Sequence, residues 1–558
     1  MHADEPLTAA QWLALLAWWV LVLTVPIALA LALWFRRRYV RAVIRLQSMA
    51  AERQRDAPAP PSEALESVSN APTISVSDAA GVVEHAAIRT ALRLRRRILR
   101  AQFVAGLCFW WAILACIYGA IPETAKSVAP DSPDLPWLGW LLLLAPPILG
   151  WAVQGGISNR IIWYAAAVLG AVVSIAFAVH SDNWRLAGGG IAFVALLALM
   201  GAAFLSPSAR GAGPTLVLAL SQGFVVLVGL CALLALAFPD SPDGKTTVLQ
   251  NSGQAVLLVL ALGAAAGASW YALQRTVRGY ESKRCSEMQV ALNGYWSLIG
   301  LAGFAMAMSM SLYDGSGNAI RAGLAVLPCW FVFRLVLRVW LRRIARDAAP
   351  SLRPLLFLRV FKGSSSSEAF LDRFLAYWRF AAPVWMIGGP DLAGSQMEPT
   401  ECFAFLRRRL DRLFVHSAEE IGERVRQLDG LRDPDARLRI NELFCSSSTW
   451  QATVLALLER AGVVVLDLRE YTAARAGTRY EIFQIMNVVP IEKVIVLVGA
   501  GDDERRIAAE LRSAWNAMHE SSPNRRAVQT EIHVLRLHTG RRAEIRGLFA
   551  AVASVAGG

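Results

Sequence analysis

The residues with the clearest chemical potential lie close together in LLERAGVVVLDLREYTAARAGTRYEIFQI, where a run of valines ends at Asp467, a polar loop carries Tyr471, and a Gly-Thr step brings in Thr478 and Glu481. A carboxylate at that place, if stripped of water and turned toward a pocket, can attack an electron-deficient carbon or stabilise a cation-like one. The same spacing has a purely structural reading. Thr478-Arg-Tyr-Glu481 is a capping box, in which the threonine caps a helix and the glutamate returns a hydrogen bond to it. A glutamate bonded back in that way is not aimed at a substrate, so the two roles compete.

A second group follows an apolar stretch at 355–361. Arg359, Lys362 and Gly363 precede a serine run whose amides can meet a phosphate at the start of the next helix, with Ser367 as an ordinary helix cap in the alternative reading. Nothing there spells GxxxxGK[ST], so it is no Walker A loop. VGAGDDERR lacks the third glycine of a dinucleotide turn, and Asp502 and Asp503 would repel a pyrophosphate while complementing the helix dipole. His416, His519, His533 and His538 show no ligand spacing, the seven cysteines stand singly without a CxxC pair, and neither GxSxG nor HExxH occurs. Zinc, disulfide-framework and hydrolase readings therefore lack support, and no metal site is expected.

These residues need a scaffold, and the chain from 351 to 558 supplies its pattern. Short Val/Ile/Leu runs such as LLFLRVF, PVWMIGG, VVVLDL, KVIVLVG and EIHVLRL alternate with amphipathic segments, as a parallel sheet buried on both faces requires. The spacing predicts a doubly wound α/β domain, with PTECFAFLRRRLDRLF and SAEEIGERVRQL as helices and RINELFC as a short strand. In such a sheet the site sits beyond the carboxyl ends of the strands, where Arg359 and Asp467 fall.

The strand, loop and helix around Asp467, Tyr471 and Glu481 resemble those of TIR domains and of the related nucleoside 2-deoxyribosyltransferase-like domains. The likeness extends loosely over 351–558, and its sharp part is the segment quoted above. What it implies is a glutamate at position 481 acting on the ribose side of an N-glycosidic bond, with NAD or another nucleotide as substrate or ligand and Arg359 or Lys362 near the phosphates. The chain departs from both patterns: no Trp-Cys pair precedes Glu481, the bulky Phe483 follows it, and the stretch 399–447 is an insertion.

Upstream, 55% hydrophobic residues over 558 positions exceed what one globular core can bury. Nine apolar runs, at 11–34, 101–120, 137–153, 161–179, 188–205, 214–238, 254–273, 296–313 and 322–341, each approach the ~20 residues needed to cross a bilayer. The expected organisation is a first span with its basic flank over 1–50, a disordered linker over 51–82, a basic helix and eight further spans over 83–350, and the α/β domain from 351. Arginines crowd the segments after the odd-numbered runs, which places the N-terminus in the periplasm and the α/β domain in the cytoplasm of a bacterial inner membrane. The formal charge of +13 then reads as topology, and with no basic face interleaved with aromatics nucleic acid is not an expected partner. Arg93, Arg95, Arg96, Arg97 and Arg100 are placed to meet anionic headgroups.

The runs hold no Asp, Glu, Lys or Arg apart from Arg334 and Arg338, where a coupled transporter would keep a charged residue. Three expectations follow: a membrane-tethered signalling or assembly module that forms homo-oligomers or engages a protein partner; an anchored N-ribosyl hydrolase or transferase; and, trailing, a transporter with a regulatory domain.

Overall fold

The computed structural model describes residues 9–52, 72–82, 85–120, 146–154, 198–206, 211–237, 248–309, 317–348, 351–359, 365–388, 399–446, 448–472, 476–526, 531–538 and 540–557, with isolated positions between 161 and 209. The chain divides into two units. One comprises 1–38, 98–343 and 395–403, the other 39–97, 344–394 and 404–558.

The first unit is helical. Its long helices are α1 (Ala9–Glu52), α2 (Ala86–Ala120), α3 (Gly213–Ala237), α4 (Val248–Glu281), α5 (Glu287–Ser309) and α6 (Gly317–Arg346), of which the ends at 39–52, 86–97 and 344–346 belong to the second unit. All six are long and apolar enough to cross a membrane. The expected runs at 137–153, 161–179 and 188–205 lie largely outside the described residues. Aromatic packing joins three of the helices: Phe109 of α2 stacks on Phe333 of α6 at 4.9 Å and meets Trp296 of α5 edge-on at 5.9 Å. Such pairs add roughly 0.5–1.5 kcal/mol beyond the area they bury.

The second unit is built on one eight-stranded, wholly parallel sheet. Its strands are β1 (Thr73–Asp78), β2 (Leu355–Arg359), β3 (Val384–Gly388), β4 (Phe414–Val415), β5 (Ile440–Cys445), β6 (Val463–Asp467), β7 (Val494–Gly499) and β8 (Glu531–Leu537), in the order β1-β8-β7-β6-β2-β3-β5-β4. The central five, β3-β2-β6-β7-β8, follow the flavodoxin-like doubly wound order. The inserted residues extend the sheet at one edge: helix α8 (Pro399–Leu406) ends well before 414, and Phe414–Val415 forms β4 where a continuous helix was expected.

Helices α7 (Ser365–Trp378), α9 (Ala418–Arg426), α10 (Trp450–Leu458), α11 (Ala476–Val488), α12 (Glu504–Asn516) and α13 (Arg542–Gly557) complete the unit. Alternate residues of each strand feed two apolar layers. Phe357 packs on Phe374, which stacks on Trp378, itself edge-on to Phe549, while Leu356, Leu358, Val464 and Leu466 share one buried apolar cluster with Ile482, Ile485, Leu511 and Trp515. Helix α12 shows how local chemistry sets a boundary. Asp503 accepts the amide of Arg506 at 3.1 Å as its cap, worth about 1 kcal/mol, and Ile507, Leu511 and Trp515 recur on its buried stripe.

The opposite edge corrects the expected linker. Residues 73–78 are not a structureless tether; they pair in parallel with β8 along their whole length, from Thr73↔Glu531 to Asp78↔Arg536. Beyond β1, Ala79 lies fully buried on α13, where a Cβ on Gly547 would stand 1.5 Å from the Ala79 carbonyl oxygen. The α/β unit therefore begins well before residue 351. Four of the six residues of TISVSD are polar, and only its parallel neighbour makes it a strand.

Candidate functional site

The sheet changes direction between β2 and β6: the chain runs from β2 to β3 on one side, and from β6 through β7 to β8 on the other. Ligands of doubly wound proteins bind outside the carboxyl ends at this place, because the flanking loops diverge there. Its floor is the last register pair, Arg359↔Asp467, both buried. Two residues selected from the sequence are thus brought side by side.

Asp467 is fully engaged. Its Oδ1 accepts Nε of Arg469 at 2.8 Å and the Arg469 amide at 3.2 Å, and its Oδ2 accepts the guanidinium at 2.5 Å. The guanidinium stacks over Phe370 of α7 at 4.5 Å. Burial works against its charge, but Asp467, together with Glu470 and Asp502, more than offsets this and holds it above its usual range. Such a forked pair is the strong form of a charge-assisted bond.

The next residue, Glu470, sits in the left-handed region at φ 62. Its amide donates to Asp502 Oδ1 at 3.3 Å, its carboxylate accepts from Ser367 at 3.4 Å, and Asp502 in turn accepts the Gly499 amide at 2.6 Å. A non-glycine residue stays in that conformation when its surroundings over-determine it, and here the loops after β6 and β7 and the first turn of α7 do so. Ser367 is accordingly a helical residue reaching across the crevice, not a cap. Lys362 and Gly363 lie outside the described residues.

Tyr471, Thr478 and Glu481 belong to a different layer. Tyr471 is buried against Ile482, its ring lies 5.9 Å from the Arg506 guanidinium, and Arg479 beside its hydroxyl pairs with Glu510 at 2.8 Å. Burial, helped by Glu510, raises the Tyr471 hydroxyl against the opposing pull of Arg479.

Thr478 and Glu481 lie on the buried stripe of α11 with Ile482 and Ile485. Because α11 is already helical at Ala476, Thr478 is an interior residue and the capping box does not form. Glu481 is only 2% exposed, and its Oε2 has no hydrogen-bond partner. Burial pushes its carboxyl up to about 8, so it is mostly protonated at neutral pH. It is neither bonded back to Thr478 nor open to a cleft.

Arg469 and Glu470 are the site residues that sequence reasoning missed. The available signal was the spacing Asp467-x-Arg469 at the end of an apolar strand, which lets the arginine fold back onto the aspartate. The arrangement can hold the loops after β6 and β7 and the start of α7 in fixed relation and present Arg359 at the switch point. Among the described residues no group of His, Cys, Asp and Glu could hold a metal ion. Compared with known proteins, the chain matches no family model, no curated protein and no solved structure.

Proposed function

We propose that this protein is a membrane-embedded signalling module whose TIR-like α/β unit works by assembly, as a homo-oligomer or with a protein partner, in a bacterial inner membrane. The observation that carries this reading is β1. The sheet takes one edge strand from the segment between two apolar helices, followed directly by α2, and its central strand β2 follows α6. The α/β unit is thereby tied to apolar helices at an edge and at its centre, which suits a relay of state better than an enzyme that merely needs an anchor. The buried Glu481, whose Oε2 has no hydrogen-bond partner among the described residues, supports the same choice, because an N-ribosyl hydrolase or transferase needs that carboxylate ionised and facing NAD or a nucleoside.

Arginine asymmetry supports a periplasmic N-terminus and a cytoplasmic α/β unit. In the basic segment Arg97 pairs with Asp347 at 3.0 Å and Arg95 lies 4.8 Å from the Tyr377 ring, leaving the exposed Arg93, Arg96 and Arg100 to meet anionic headgroups.

The test uses the full chain in bacterial membranes, carried by two differently tagged copies. Wild-type copies should co-isolate, and Gly547→Leu, whose side chain would displace Ala79 and the strand before it, should separate them. Incubation with NAD and with deoxynucleosides should release neither nicotinamide nor base. Release that Glu481→Gln abolishes would overturn the module in favour of the enzyme, and copies that never co-isolate would remove the assembly step. Alkaline phosphatase fused after Gly558 should be inactive; activity there would reverse the orientation.

A further inference from the structure

Helices α3, α5 and α6 enclose a cleft of about 620 Å³, counted out to its open mouth, whose lining is apolar except at one end. Along it α5 and α6 run antiparallel. A Cβ on Gly300 would stand 3.9 Å from Cγ1 of Val326, and the Trp296 ring meets that of Phe333 at 5.9 Å, so positions advance on one helix as they recede on the other. Ser297 and Trp330 fall between these two pairs and therefore share one depth. Gln222 of α3 joins them there, its Nε2 donating to Ser297 Oγ at 3.0 Å. From Ser297 the cleft follows α5 for about 10 Å to Phe304, at 1.5 Å per residue. Phe331 and Leu324 line it while remaining exposed, so it opens on an apolar outer surface of the helices.

The polar end has donors to offer. Trp330 is only 7% exposed, and its indole N–H meets no hydrogen-bond partner among the described residues. The Ser297 hydroxyl, which accepts from Gln222, still has its own proton to give. A buried N–H without an acceptor is costly, and most costly where no water reaches it. Ser297 is the eleventh of the 23 residues of α5, about 15 Å from its start and so near the middle of a hydrocarbon layer. At that depth a charged head group is expensive, and no lining residue is charged to offset it. The Arg334 guanidinium lies over the Trp330 ring at 4.5 Å, where it engages the face of the ring and is no part of the lining.

We propose that this cleft binds a neutral membrane molecule with a hydrocarbon body and a carbonyl head, supplied by a quinone or by an acylglycerol. The carbonyl oxygen accepts from Trp330 Nε1 and from the Ser297 hydroxyl, and the hydrocarbon part runs beside Gly300, Leu301 and Phe304. Gly229 on the facing helix leaves room for it, since a Cβ there would meet nothing within 4 Å. Helix α6 leads on to β2, so an occupant of the cleft bears on the helix that enters the centre of the sheet. The inference rests on the membrane reading of the apolar helices and not on the assembly step.

The experiment irradiates the full chain in its membranes with an azido-quinone in one arm and a diazirine-tailed acylglycerol in the other, and maps the labelled peptides. At least one arm should label 222–229, 297–304 and 324–331, and the arm that does so identifies the source of the carbonyl. Excess unlabelled decylubiquinone or dioleoylglycerol, according to the arm, should remove this label, while excess hexadecane should not. Trp330→Phe keeps a ring and removes the N–H, and it should lower the labelling about fivefold, the worth of one hydrogen bond. Gly229→Leu, whose side chain enters open space at the cleft, should abolish it. If Trp330→Phe does not accumulate in the membrane, Ser297→Ala tests the second donor in the same way. Label in neither arm overturns the proposal. So does displacement by hexadecane, which shows an apolar space without a head-group site, or labelling that these variants leave unchanged. A chain that alkaline carbonate washes from the membrane overturns the membrane reading itself, whereas a carbonate-resistant chain that takes no label overturns this proposal alone.

Discussion

Asp467 and Glu481 lie fourteen positions apart on consecutive elements, both buried, yet the fold treats them in opposite ways. Asp467, at the end of β6, receives three hydrogen bonds from Arg469, two of them from the guanidinium in an ion pair. Glu481, on the inner stripe of α11, receives no donor to Oε2 and survives burial by keeping its proton. The difference follows from what lies within reach. At a strand end the chain turns, and a residue two positions on folds back over the carboxylate. On a helix face packed against a sheet the neighbours are Ile482 and Ile485, which have nothing to donate. A buried carboxylate thus marks chemistry only together with its partners, and here the partnered one sits where ligands of such sheets bind.

Breaking the pair at Asp467 should have the largest effect. Arg469→Met leaves a buried carboxylate without its counter-charge and should cost about 3–5 kcal/mol, read as faster hydrogen exchange of the β2 and β6 amides in the full chain. Adding Asp467→Asn should restore much of that protection, because no uncompensated charge then remains. Unchanged exchange in the single variant would show that the pair is ornamental.

Glu481 should respond to pH with the opposite sign from an ordinary carboxylate. Its folded value of about 8 lies above the unfolded 4.5, so its contribution is fully present below pH 4.5. It is lost as pH rises toward 8, because the unfolded state gives up its proton first. Relative to Glu481→Gln, the wild type should therefore weaken between pH 5 and 8, by an amount on the order of a few kcal/mol. Denaturant midpoints for both proteins at pH 5, 6.5 and 8 check this, and parallel curves would mean that the carboxylate has found a donor.

The smallest effect belongs to Thr478. As an interior residue of α11 it makes no cap, so Thr478→Val, which keeps the buried shape and removes only the hydroxyl, should change stability by less than about 0.5 kcal/mol, where a lost cap costs roughly 0.5–2. A loss above 1 kcal/mol in the same midpoint measurement would restore the capping role.

The strands after 351 were legible because parallel strands buried on both faces must read as continuous apolar runs, as VVVLD and VIVLVG do. The apolar helices were legible for the simpler reason that length and hydropathy have no competing explanation. β1 was not legible. TISVSD has too little apolar content to specify a strand alone, and its partner lies more than four hundred residues away, where local propensity carries no information. The capping box failed by a few residues: Thr478-x-x-Glu481 has the right spacing, but the helix starts earlier, and boundaries depend on tertiary packing that a four-residue pattern cannot register.

The sequence by itself determined the division into an apolar helical part and a parallel α/β part, together with the placing of Arg359 and Asp467 at carboxyl ends of strands, because hydrophobic period and strand length are local properties. Tertiary structure alone decided that Arg359 and Asp467 are register partners at the switch point, that Arg469 neutralises one of them, that Glu481 is sealed and protonated, and that a polar segment between two apolar helices completes the sheet. Each of these depends on which groups meet after the chain has crossed long sequence distances. Burial, ionisation and edge pairing are set by neighbours in space, and a buried carboxylate is charged or neutral according to the donors that arrive beside it.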